Sequence, residues 1–253
     1  MSSWLLLPSI GVFLELMLLA RGLSARVFTR YYFFYIYICS SLVGTLAAVA
    51  IHASSPGSFA KWYWPIQFVT LIFGYGILLE ILNHVLAPYP GAEKFARTSG
   101  LVAFAATFCF ALIAPLVMPA WSASTVLEFE RDSRFVQCIF IFVLLAVILY
   151  YAIPMGRNMK GMLVGYGLYI ATSMMSLAIR AYGSASLMEV WRTIQPLSFD
   201  VSMFVWLVAL WSYCPNPVPD ASIRLEEDYE ALALRTRNMM DSIRTHLRKA
   251  ARA

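Results

Sequence analysis

The sequence predicts an all-α fold: a polytopic transmembrane helical bundle of about seven spans, followed by a cytoplasmic amphipathic C-terminal helix. Three observations predict it. Of the 253 residues, 60% are hydrophobic and only 13% are charged, whereas globular domains run to about half apolar and about a quarter charged. The charge is gathered into short polar stretches between apolar runs of roughly twenty residues. That is the length a helix rising about 1.5 Å per residue needs to cross about 30 Å of hydrocarbon. Most of these runs are apolar on every side, while the helices of a soluble fold keep one polar face.

The first run covers 4–20. No positive charge precedes it and Glu15 interrupts it, so it reads as a retained helix and not as a cleaved leader. The second, 32–51, follows Arg21, Arg26 and Arg30. It carries Ser40, Gly44 and Ala48 four apart, a small-residue seam that lets helices approach closely. The third, 64–87, opens on Trp64 and Pro65 and stops before Pro88. The fourth, 100–119, follows Lys94 and Arg97, and the fifth, 135–153, follows Arg131 and Arg134. The sixth, 162–181, holds Arg180 and the seventh, 199–213, holds Asp200.

Pro215, Pro217 and Pro219 then forbid a continuous helix. They divide the chain into a seven-helix domain, 1–214, and a hinge with a tail helix, 215–253. The tail helix is expected over 222–250, with apolar positions Leu225, Tyr229, Leu232, Met239 or Met240, Ile243 and Leu247 at near-heptad spacing. Glu226, Glu227, Asp228 and Glu230 crowd its start and Arg244, Arg248 and Lys249 its end, an arrangement that suits the helix dipole.

Loop cations set the orientation. Arg21, Arg26, Arg30, Lys94, Arg97, Arg157, Lys160 and the basic tail fall on one side. The other side receives fewer: Lys61, Arg131, Arg134, Arg180 and Arg192. The expectation is an N-terminus outside and a C-terminus in the cytoplasm, in a plasma or inner membrane. Trp4, Trp62, Trp64, Trp121 and Trp191 all fall at the expected outer edge, where amphipathic rings sit among head groups.

Ionisable groups inside spans are costly and mark candidate sites. In the third run Gly76, Glu80, Asn83 and His84 share one helical face, and Glu80 and His84 are four apart and can touch. Glu15 is expected at similar depth, so the two carboxylates could share a proton or a cation. The alternative is that Glu80 and His84 satisfy one another and fix helix register. Arg180 and Asp200 are expected to form a structural ion pair beside a stripe of Gly165, Tyr169, Thr172, Ser173 and Ser176. At the outer rim Trp64 and Gln67 could help to cradle a ligand or anchor the helix in the interface. Gly-Tyr-Gly occurs at 74–76 and again at 165–167, in helices running oppositely, but three residues are too few to assert a repeat.

Several chemistries are set aside. The net charge of +5 belongs to loops and tail, without the stacking aromatics of a nucleic-acid surface. No lysine in the seventh run could carry a retinal Schiff base. His52, His84 and His246 lie at different depths, against a haem or zinc centre. Cys39, Cys109, Cys138 and Cys214 show no paired spacing, and no hydrolase or nucleotide-binding motif occurs. The expected partners are the lipid bilayer and, through the tail helix, a cytoplasmic protein or a second copy; no cofactor or metal is expected. The function expected is a sensor-like or assembly module relaying through its tail, with a proton- or cation-coupled transporter using Glu15, Glu80 and His84 as the alternative.

Overall fold

The computed structural model describes residues 6–54, 59–117, 123–218 and 224–250. Those residues form eight helices: α1 (Leu6–Ser24), α2 (Tyr32–Ser54), α3 (Phe59–Leu86), α4 (Pro90–Val117), α5 (Ala123–Tyr150), α6 (Arg157–Tyr182), α7 (Ala185–Ala209) and α8 (Leu225–Ala250). No strand occurs among the described residues. The described part of each of the seven apolar runs lies mostly in a helix of its own, with the fifth and seventh runs continuing past the ends of α5 and α7. Among the described residues, four helices contain segments long and apolar enough to cross a membrane: Tyr32–Ile51, Pro65–Leu86, Glu128–Tyr150 and Arg157–Arg180.

Several helices overshoot their apolar runs. α4 starts at Pro90, α5 at Ala123 and α7 at Ala185. Lipid limits how long an apolar run must be, but backbone hydrogen bonding does not stop where lipid does. Pro90 suits a first helical turn, where its missing N–H is not needed. Ser184 caps α7 by accepting from the Leu187 N–H at 3.4 Å. Arg26 and Ala152 adopt positive φ (53° and 49°), reversing the chain after α1 and α5.

α3 is the hub, packed against α2, α4, α5 and α6, while α1 lies between α2 and α7. The core is aromatic: Phe34 and Tyr37 of α2 meet the ring of Trp206 edge-on, with centroids 5.1 and 6.3 Å away. A glycine is needed opposite that indole, since a Cβ on Gly165 would overlap it, and the indole N–H donates to the Met162 carbonyl at 3.3 Å. Val43, Phe142 and Leu149, by contrast, turn outward and are exposed, an apolar exterior that matches a hydrocarbon solvent.

At one end, hereafter the tail end, hydrogen bonds tie the helices together. Asn158, fully buried, donates to the carbonyls of Ala209 (3.1 Å) and Ser212 (3.0 Å) and accepts from the Cys214 N–H (2.6 Å). Asn216 accepts from the Gly156 N–H and donates to the His84 carbonyl at 3.0 and 3.1 Å. Arg21 donates to the Trp211 carbonyl at 2.7 Å. α8 is fastened there too. Glu226 accepts the backbone N–H of Gly91 at 2.7 Å and of Ala92 at 3.4 Å, and the Tyr151 hydroxyl donates to Asp228 at 3.0 Å.

Candidate functional site

The far half of the bundle holds a polar cavity of about 310 Å³ where α2, α3, α6 and α7 meet. Spacings of three and four residues bring Ser41 and Thr45, Gln67 and Thr70, and Gln195 and Ser198 onto its wall, with Tyr169 and Ser173 from α6. Among the described residues the lining therefore offers hydroxyls and two carboxamides, and no charged side chain. The Ser198 hydroxyl donates within 3.0 Å of Thr172 Oγ1, and Gln195 Oε1 accepts from Ser176 at 2.6 Å and from Arg180 at 3.4 Å. That leaves the Gln195 amide nitrogen as the end free to serve the cavity. Gln195 also lines a wider hollow of about 630 Å³ with Arg180, Glu189, Trp191 and Arg192. It stands where the two meet.

Behind Tyr169 lies a fully buried cation. Arg134 of α5 donates to the Tyr169 hydroxyl at 3.1 Å and to Gln137 Oε1 at 3.3 Å, and its guanidinium sits 5.1 Å from the Tyr169 ring centroid. Gln137 donates to the Leu71 carbonyl at 3.5 Å. The two Gly-Tyr-Gly segments meet beside it, where the Tyr166 hydroxyl donates to the Gly74 carbonyl at 2.8 Å. No carboxylate pairs with Arg134 within salt-bridge distance among the described residues.

Comparison with known proteins adds no family. No protein-family model, no curated protein and no solved structure matches the chain. The reading rests on the residues.

The structure separates several residues that the sequence suggested would meet. Glu80 is buried and spends its carboxylate on the N-terminus of α2, accepting from the backbone N–H of Phe33 (3.2 Å) and Phe34 (2.9 Å). It does not reach the His84 ring. His84 Nδ1 instead lies 2.9 Å from the Glu80 carbonyl, and the ring packs on Tyr31 at 5.3 Å. Glu15 does not approach Glu80, because α1 and α3 both pack on α2 and not on each other. Its carboxylate is buried without a hydrogen bond, with Ser41 and Asp200 as its polar neighbours. Asn83 is half-buried, and its Oδ1 has no hydrogen-bond partner.

Arg180 and Asp200 are not an ion pair. With α7 starting at Ala185, Asp200 lies fifteen residues along it, about 22 Å from that start at about 1.5 Å per residue. Arg180 is in the last turn of α6. Arg180 turns to Gln195, while Asp200 Oδ1 lies 3.0 Å from where a Cβ on Gly11 would stand. Gln67 lines the polar cavity; the side chain of Trp64 lies outside the described residues. Arg134, read from sequence as a loop cation, is inside. The signal that could have found it is Gln137, one helical turn on, a second polar residue on the same face once the helix is extended back to Ala123.

Proposed function

We propose that α1–α7 all cross the membrane and that the protein is a sensor-like module whose tail helix passes a change in helix packing to a cytoplasmic partner. The loop cations Arg21, Arg26, Arg30, Lys94, Arg97, Arg157 and Lys160 all belong to the tail end, which supports a reading with that end in the cytoplasm and the cavity toward the outside of a plasma or inner membrane. A small polar ligand, taking hydrogen bonds from Gln67, Gln195 and the serine hydroxyls, would draw α2, α3, α6 and α7 together. Pro196, which removes a backbone hydrogen bond from α7 at the cavity wall, gives that helix a place to bend.

The observation that carries this reading is the clamp of Glu226 on the backbone of Gly91 and Ala92. It makes the first turn of α8 move with the start of α4, and α4 packs on α3, one wall of the cavity. Farther along, α8 exposes Leu232, Met239, Met240 and Ile243, an apolar face available to a partner helix or a second copy. Transport centred on Glu15, Glu80 and His84 has less support, because Glu80 and His84 are engaged in contacts that Glu15 does not share.

Filling the cavity tests the relay. In Gln67→Trp the exchange rates of the Gly91 and Ala92 amides and of the α8 backbone should change several-fold, measured by hydrogen–deuterium exchange in detergent. Altered exchange confined to the cavity helices, with α8 unchanged, would end the relay reading.

A further inference from the structure

Two buried carboxylates lie outside everything assigned above. Glu15 of α1 is 1% exposed and neither of its oxygens has a hydrogen bond. Asp200 of α7 is 7% exposed and its Oδ2 has none. α1 and α7 pack directly on each other, and Asp200 approaches α1 so closely that its Oδ1 is 3.0 Å from the place a Cβ would take on Gly11, one turn before Glu15. Ser41, the third polar member, is next to Glu15 and also lines the polar cavity.

No Lys, Arg or His among the described residues forms an ion pair with either carboxylate. Glu80 offers the contrast: equally buried, it is stabilised by two backbone N–H groups and the positive end of α2. Glu15 has the Ser41 hydroxyl beside it but no backbone donor, and Asp200 Oδ2 has no donor. Unpaired acceptors cost several kcal/mol each in an apolar surround, so a cluster of them short of donors is stabilised by a positive charge, either a proton or a bound cation.

We propose that Glu15, Asp200 and Ser41 bind a hard, oxygen-seeking cation, sodium or calcium, reached through the polar cavity by way of Ser41. The donors are all oxygens, two carboxylates and a hydroxyl, and no thiolate or imidazole is among them, which selects hard ions over transition metals. The ion neutralises the carboxylates and ties α1 to α2 and α7. The site stands apart from the relay and does not depend on it.

The test is the melting temperature of the purified protein in detergent, in sodium chloride, calcium chloride or choline chloride at equal ionic strength. Sodium or calcium should raise it by about 5 °C over choline at saturating concentration. Glu15→Gln and Asp200→Asn should abolish the increment, while Glu80→Gln keeps it. Should either variant fail to fold, Ser41→Ala serves in its place, raising the concentration of cation needed for half the increment at least threefold. Radioactive sodium or calcium retained by the wild-type protein, and displaced by the unlabelled ion, gives a second readout. The proposal is overturned if the wild type melts alike in all three salts, including the case in which only pH moves its stability. It is equally overturned if Glu15→Gln and Asp200→Asn fold and keep the full increment.

Discussion

The two ends of the bundle handle buried polar groups in opposite ways. At the tail end three buried or half-buried side chains are fixed by backbone partners: Asn158 closes three hydrogen bonds, Asn216 joins the α6 start to the α3 end, and Glu80 caps α2. The hollow there, about 530 Å³ between α4, α5 and the start of α8, is lined by Phe95, Val143, Tyr229 and Leu232 and is apolar. The far half has a polar-walled cavity, an interior proline in α7 and, among the described residues, an arginine without a carboxylate ion pair and two buried carboxylates short of donors. Satisfied groups hold a structure in one arrangement, while unsatisfied ones leave room for a ligand to decide it. On the proposed reading, the tail end holds and the far half responds.

This contrast is broken most forcefully at Asn158. Asn158→Ala strips partners from the Ala209 and Ser212 carbonyls and the Cys214 N–H together, at the junction that orients the chain toward the tail. Losing these three buried or half-buried hydrogen bonds should cost about 3 kcal/mol, read as a lower denaturation midpoint in detergent. A loss below about 1 kcal/mol would mean that the tail end is not the rigid half.

Glu80 sharpens the contrast at about half that size. Glu80→Gln keeps one oxygen for the α2 amides but removes the charge that favours the helix N-terminus, and should cost about 1 to 2 kcal/mol. The loss should be uniform across salts. Were stability unchanged and a transport or binding activity lost instead, Glu80 would belong with the responsive half.

What could be read in advance divides along the same physical line. The seven apolar runs are legible from their length, and the described part of each lies mostly in its own helix. The cavity was legible in part. Gln67 stood out as an amide in an aromatic rim, and Ser173 as part of a hydroxyl stripe, but nothing in the sequence says that α3 and α6 both face α2. Glu80 was visible as a buried acid, yet its partners are the backbone N–H groups of Phe33 and Phe34, which leave no mark in a sequence. The proposed pairings of Glu15 with Glu80 and of Arg180 with Asp200 failed for geometric reasons, one through helix adjacency and one through the true start of α7. Arg134 was hidden because an apolar run was taken to begin just after it, when α5 begins eleven residues earlier.

Arg134 makes the finest test because it should move stability least. A buried guanidinium pays a desolvation cost that is regained only through good partners, and here those are a tyrosine hydroxyl, a carboxamide and the face of a ring. A residue kept for stability would be paired with a carboxylate, and breaking such a pair costs about 3 to 5 kcal/mol. Arg134→Met fills most of the same volume without the charge. It should leave the midpoint within about 1 kcal/mol of wild type or raise it, while releasing Tyr169 and thereby changing exchange in α6 beside the cavity. A fall of the size seen for a broken ion pair would instead make Arg134 part of the fixed scaffold, and the division between holding and responding halves would have to be redrawn along α5.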